Sequence, residues 1–144
     1  MNSAKEQMVS CRSRYFVSGV FYPTNHVVIT LDDAYSSTCM QESYRTQGFD
    51  ACDIFSLSDT EIIARDVQRH ASGKAQHLFD FFSGCLGQES INHGEYVDLA
   101  RQGRPLLLVF APNIDVTVRA IDIARLYRPI RMRKYESAGV IDIY

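Results

Sequence analysis

The sequence predicts one α+β domain, a two-layer sandwich of a sheet and its helices. Three observations predict it. The chain has 144 residues, 46% of them hydrophobic and 22% charged. That is a single-domain length and a globular balance, far from the composition of disordered chains. Two apolar runs, HVVITL and PLLLVFA, have the composition of strands. Each leads into a capping residue and then a stretch with helical spacing.

Residues 1–14 read as a flexible polar tail. Tyr15–Tyr22 is rich in β-branched and aromatic residues and reads as a strand, followed by a turn at Pro23-Thr24-Asn25. It forms either a hairpin with the strand His26–Leu31 or an arm that reaches a partner. Asp32 and Asp33 are N-cap candidates for a helix over Ala34–Gln47, with Ser37, Met40 and Tyr44 on its buried face. Gly48 supplies the left-handed stop and Phe49 the hydrophobic contact after it. Ala51–Leu57 reads as a strand. Ser58-Asp59-Thr60-Glu61 is a capping box that opens a helix to about His70.

Leu78, Phe81, Phe82 and Cys85 form a second helical stripe. Ser90 caps a third helix, with Tyr96, Leu99 and Ala100 inward and Gly103 as its stop. Pro105–Ala111 has no charge in seven residues and reads as a central strand buried on both faces. Asn113 caps the last helix, in which Val116, Ala120, Ile123, Ala124 and Tyr127 repeat at helical spacing before Pro129. Ile130–Tyr135 and Val140–Tyr144 are the final strands. The order is that of a ferredoxin-like β-α-β-β-α-β plan, with a helical insert between its two halves and residues 15–144 as one domain.

The net charge of −2 argues against a dedicated nucleic-acid binder. The start MNSAKEQMVSCRSR lacks the apolar core of a secretory signal, and no apolar run is long enough to span a bilayer. Cys11, Cys39, Cys52 and Cys85 form no C-x-x-C pair. Free thiols in a reducing, cytoplasmic setting are the expectation.

Candidate chemistry is sparse. His70 and His77 are seven apart, about 10.5 Å along a helix, too far for one metal ion unless Gly73 bends the chain and His93 or Glu95 joins them. No metal site is expected. Cys85 sits among Phe81, Phe82 and Leu86, an apolar setting that disfavours the thiolate, so no catalytic residue is assigned. Asp32, Asp33, Asp50 and Asp53 have sufficient roles as caps and turn residues. Ser83-Gly84-Cys85-Leu86-Gly87 lacks the third glycine and preceding strand of a dinucleotide loop, and no cofactor is expected. The uneven feature is basic: Arg119, Arg125, Arg128, Arg131, Arg133 and Lys134 cluster near the end. Arg131 and Arg133 share one face of a strand, and Arg128 and Lys134 are close by. These four are the candidate binding residues for a phosphate or carboxylate. The plainer reading is an edge strand whose charges prevent aggregation.

Several segments carry a resemblance. They are the aspartate-started helix ending in Gly48-Phe49, the strand DIFSLS with its acidic helix start, and the Tyr96 segment ending in Arg101-Gln102-Gly103. With them go PLLLVFA, Arg133-Lys134-Tyr135 and Ile141-Asp142. Over roughly residues 26–144 the chain resembles small bacterial α/β proteins of the heat-induced or general stress type. The resemblance implies a fold and brings no catalytic residues. The expected function is a non-enzymatic regulatory or interaction domain, forming a homodimer through the apolar surface of Tyr15–Tyr22. The rivals are a sensor or enzyme for a small anion and a weak RNA-binding module at the arginines.

Overall fold

A computed structural model describes the backbone of residues 16–17, 20–71 and 88–144, and the side chains of residues 22–67 and 94–144. The polar tail, the stripe of Leu78, Phe81, Phe82 and Cys85, and the glycine segment at 83–87 lie outside the described residues.

The elements are β1 (Phe16–Val17), β2 (Val20–Phe21), β3 (His26–Thr30), α1 (Ala34–Thr46), β4 (Ile54–Leu57), α2 (Asp59–Ala71), α3 (Gln88–Arg101), β5 (Leu106–Phe110), α4 (Ile114–Arg125), β6 (Arg131–Glu136) and β7 (Gly139–Asp142). β3 to β7 form one antiparallel sheet in the order β4-β5-β3-β6-β7. β1 and β2 pair only with each other, Phe16 opposite Phe21. The single strand expected at Tyr15–Tyr22 is therefore a small hairpin of its own, and it does not pair with β3. The Ser18-Gly19 dipeptide at its middle is a turn signal.

Local chemistry fixes the helix ends. The Asp33 carboxylate accepts from Ser36 N at 2.7 Å, and Asn113 Oδ1 from Val116 N at 3.0 Å. Ser58 Oγ accepts from Glu61 N at 3.2 Å. α1 stops where Gly48 takes a φ of 95° and Phe49 N donates to Tyr44 O, as the Gly-Phe pair predicts. Two boundaries differ from expectation. Asp50 accepts from Cys52 N and winds Ala51–Asp53 into a 3-10 turn, so β4 begins only at Ile54. α3 begins at Gln88, which places Ser90 inside the helix rather than at its cap.

The sheet is covered on both sides. One core joins Val27, Ile29, Leu107, Val109 and Met132 of the sheet to Met40 and Tyr44 of α1 and Ala120, Ile123 and Ala124 of α4. The other joins Val28, Leu106, Leu108 and Tyr135 to Ile62 of α2 and Tyr96, Val97 and Ala100 of α3. The expected two layers are thus corrected to three. α2 and α3, which belong to the insert, cover the second face of the sheet. The physical reason is visible in β3 and β5, whose consecutive apolar residues leave neither face fit for water.

The cysteine expectation also changes. Cys39 is free, but Cys52 is disulfide-bonded, its mate lying outside the described residues. Sequence spacing carries no information on which thiols tertiary folding brings together. At Cys52 the argument from free thiols to a reducing compartment does not hold.

β5 is hydrogen-bonded on both edges and Val109 is fully buried. A carboxylate there has no partner. Val109→Asp is expected to cost about 3–5 kcal/mol, against a typical domain stability of about 5–15. An unchanged melting temperature in calorimetry would remove β5 from the core.

Candidate functional site

β6 is the strand that carries the basic residues, and it lies between β3 and β7. It is not an edge. Its side chains alternate between two covered faces, so its cations are divided rather than gathered. Arg131 and Arg133 point to the face covered by α3. Lys134 points to the face covered by α4. There its ammonium donates to Thr117 Oγ1 at 3.2 Å and pairs with Glu136 Oε1 at 3.0 Å. Arg128 stands exposed at the turn before β6 with a φ of 48°, and takes no part in either cluster. Of the four candidate binding residues, the fold brings only Arg131 and Arg133 together.

Their common acceptor is Glu95 of α3. Arg131 Nε lies 2.8 Å from Glu95 Oε1, and Arg133 Nη2 lies 2.5 Å from Glu95 Oε2. Arg133 Nε also reaches Asp142 Oδ1 of β7 at 2.8 Å. Arg133 is the buried member, with its side chain 6% exposed against 50% for Arg131. Its guanidinium lies over the Tyr96 ring at 5.4 Å, and the Tyr96 and Tyr135 hydroxyls bond at 2.8 Å. The Tyr22 ring meets Tyr135 edge-on at 5.1 Å, and its hydroxyl donates to Glu136 O. Tyr22 thus packs on its own domain.

Burial works against the Arg133 charge, but the Tyr96 hydroxyl, Glu95 and Asp142 outweigh it and raise the pKa further. The guanidinium stays charged wherever the protein is folded. Burial pushes the Tyr96 phenol above its ordinary value of 10.0, against the opposing pull of Tyr135 and Arg133. Burial also raises Tyr44, whose hydroxyl donates to Ala120 O at 2.6 Å. Two of the arginines named from sequence have other tasks. Arg119 donates to Gln47 O at 2.9 Å and covers Phe49, fastening α4 to the end of α1. Arg125 is exposed.

The remaining candidates resolve simply. Asp33 and Asp50 are caps; the bond from Ser36 N holds the Asp33 carboxyl below its usual range. Asp32 is not a cap; its carboxylate lies 3.6 Å from Arg104 Nε. Among the described residues no group of three His, Cys, Asp or Glu is placed to hold a metal ion. The side chains of His70, His77, His93 and Cys85 lie outside the described residues.

Glu95, Asp142, Tyr96 and Tyr135 complete the cluster, and sequence reasoning did not assemble them. Glu95 entered only as an extra metal ligand, and Asp142 only as part of a strand. The available signal was the alternation in RMRKY: a strand with Met and Tyr at core positions predicts that the charges between them are also enclosed. Comparison of the chain with protein-family models, with curated proteins and with solved structures finds no match.

The two arginines are expected to differ in worth. Arg133→Ala removes a buried guanidinium together with its packing on Tyr96 and is expected to cost about 2–3 kcal/mol. Arg131→Ala removes a half-exposed pair and is expected to cost at most about 1 kcal/mol. Urea denaturation of the two variants measures the difference, and equal losses would contradict the burial of Arg133. The tyrosines set the alkaline limit. Tyr44 and Tyr96 stay neutral in the fold at a pH where the unfolded chain ionises. Their contribution is fully present below about pH 10 and is lost as the pH rises above it towards their raised folded values. Absorbance titration is expected to show part of the phenolate signal appearing only with unfolding.

Proposed function

We propose that the chain is a non-enzymatic interaction domain that works as a homodimer, joined through the outer edge of β7. One observation carries this reading. β7 is the last strand of the sheet, and Ile141 on it is 53% exposed, with Tyr144 exposed just beyond. Ile143 N donates to Met132 O at 2.9 Å, so residue 143 turns its N–H towards β6. Antiparallel alternation then turns the N–H and C=O groups of Val140 and Asp142 away from β6. Such an edge is a template for another strand. A second copy related by a twofold axis at Ile141 pairs these groups and brings the two isoleucines face to face.

Other observations support the wider reading. The α+β architecture, with its antiparallel sheet in the order β4-β5-β3-β6-β7, supports our reading of a ferredoxin-like plan extended by one strand. A regulatory role is the reading that the sequence motifs of residues 26–144, similar to those of stress-type proteins, suggest by analogy. No described helix is long and apolar enough to cross a membrane. The RNA-binding rival asks for open cations and exposed aromatic faces. Arg133 and Lys134, with Tyr96 and Tyr135, are buried instead, which leaves that rival Arg125, Arg128 and Arg131.

Ile141 is half outside the core, so Ile141→Lys leaves the monomer folded. Sedimentation at increasing concentration is expected to show a dimer for the unaltered chain and a monomer for the variant, with matching circular dichroism. A monomer at high micromolar concentration in the unaltered chain would overturn the proposal.

A further inference from the structure

Arg131 and Arg133 converge on Glu95 and spend both of its oxygens. One donor is left over. Arg133 Nη1 is buried and makes no hydrogen bond. A dry donor on a charged group is among the costlier ones to leave unmet. A second orphan lies on the same sheet face. Thr30 Oγ1 is buried without a partner, and Thr30 stands directly across from Arg131 in the β3–β6 register. The cluster therefore offers more hydrogen-bonding groups than one carboxylate can meet.

A tetrahedral oxyanion has the acceptors that a carboxylate lacks. In the place of Glu95 it would accept from Arg131 Nε and Arg133 Nη2 and keep further oxygens for the donor left over, a match for which guanidinium forks are suited. Access is available at the rim. Glu95 is 28% exposed and Arg131 half exposed, so the carboxylate has a route out to water. Charge permits the exchange as well. Two arginines face Glu95 and Asp142 in the closed cluster. A phosphate of about −1.5 to −2 in place of Glu95 leaves the cluster within about one charge of neutral.

We propose that Arg131 and Arg133 form a binding site for a tetrahedral oxyanion of the phosphate class, held closed by Glu95, which the ligand displaces. Glu95 is then an internal competitor that sets the affinity, and binding breaks its tie between α3 and β6 while the Tyr96–Tyr135 contact stays. The β7 pairing is not needed for this, and the two ideas fail separately.

Glu95→Gln removes the competing charge and keeps the side-chain shape. Thermal unfolding is followed with inorganic phosphate and with phosphoserine, each against chloride at matched ionic strength. Millimolar phosphate is expected to raise the melting temperature of the variant by about 5 °C, and that of the unaltered chain by less. Adding Arg131→Gln to the variant is expected to abolish the rise. A rise with inorganic phosphate alone assigns the free ion, and a rise with phosphoserine assigns phosphate esters. A Glu95→Gln protein that responds to both as it does to chloride overturns the proposal. If that variant does not fold, the Nε–H resonances of Arg131 and Arg133 in the unaltered chain decide. They shift on addition of phosphate at constant ionic strength, or the proposal is wrong.

Discussion

A strand inside a covered sheet has no solvent face, so every charge on it must find a partner in the protein. β6 carries two buried cations under that constraint, Arg133 and Lys134, and the three layers are joined by the way it is met. Arg133 reaches Glu95 on α3, while Lys134 reaches Thr117 on α4. One strand thus ties a helix above the sheet and a helix below it to the same two successive residues. Buried ionic groups of this kind rarely add much net stability over an apolar packing. Their effect is on which arrangement is reached. A register slip of one residue in β6 exchanges the faces of Arg133 and Lys134 and leaves Glu95 without its buried partner.

The elements that were legible in the sequence are those whose cause is local. The caps at Asp33, Ser58 and Asn113 and the stop at Gly48-Phe49 each need only neighbouring residues. The burial of β5 was legible because an uncharged run leaves few alternatives. HVVITL carried the same message on β3. Two strands apolar on both faces require cover on both faces, and that inference from the pair was open before any coordinates.

What was not legible depends on residues far apart in the chain. RMRKY has the charge of an exposed strand and the position of an inner one. Its partners Glu95 and Asp142 sit on another helix and another strand, and nothing in the spacing of the arginines names them. The cysteines pose the same problem. Cys52 and Cys39 look alike in sequence, yet one is bonded and the other free. Asp50 shows a smaller version, where one side-chain bond turns the expected start of a strand into a 3-10 turn.

The position of β3 has a consequence for how the chain reaches this fold. Residues 26–30 lie at the middle of the sheet, and their neighbours are residues 106–110 on one side and 131–135 on the other. Both pairings span most of the polypeptide. On the ribosome β3 emerges before both of its partners and waits, with both edges open, until they have been made. Closing loops of that length dominates the kinetic barrier and places such a sheet among the slow folders. The nascent HVVIT segment is therefore the stretch most in need of a holding chaperone, although in the finished protein it is among the best protected.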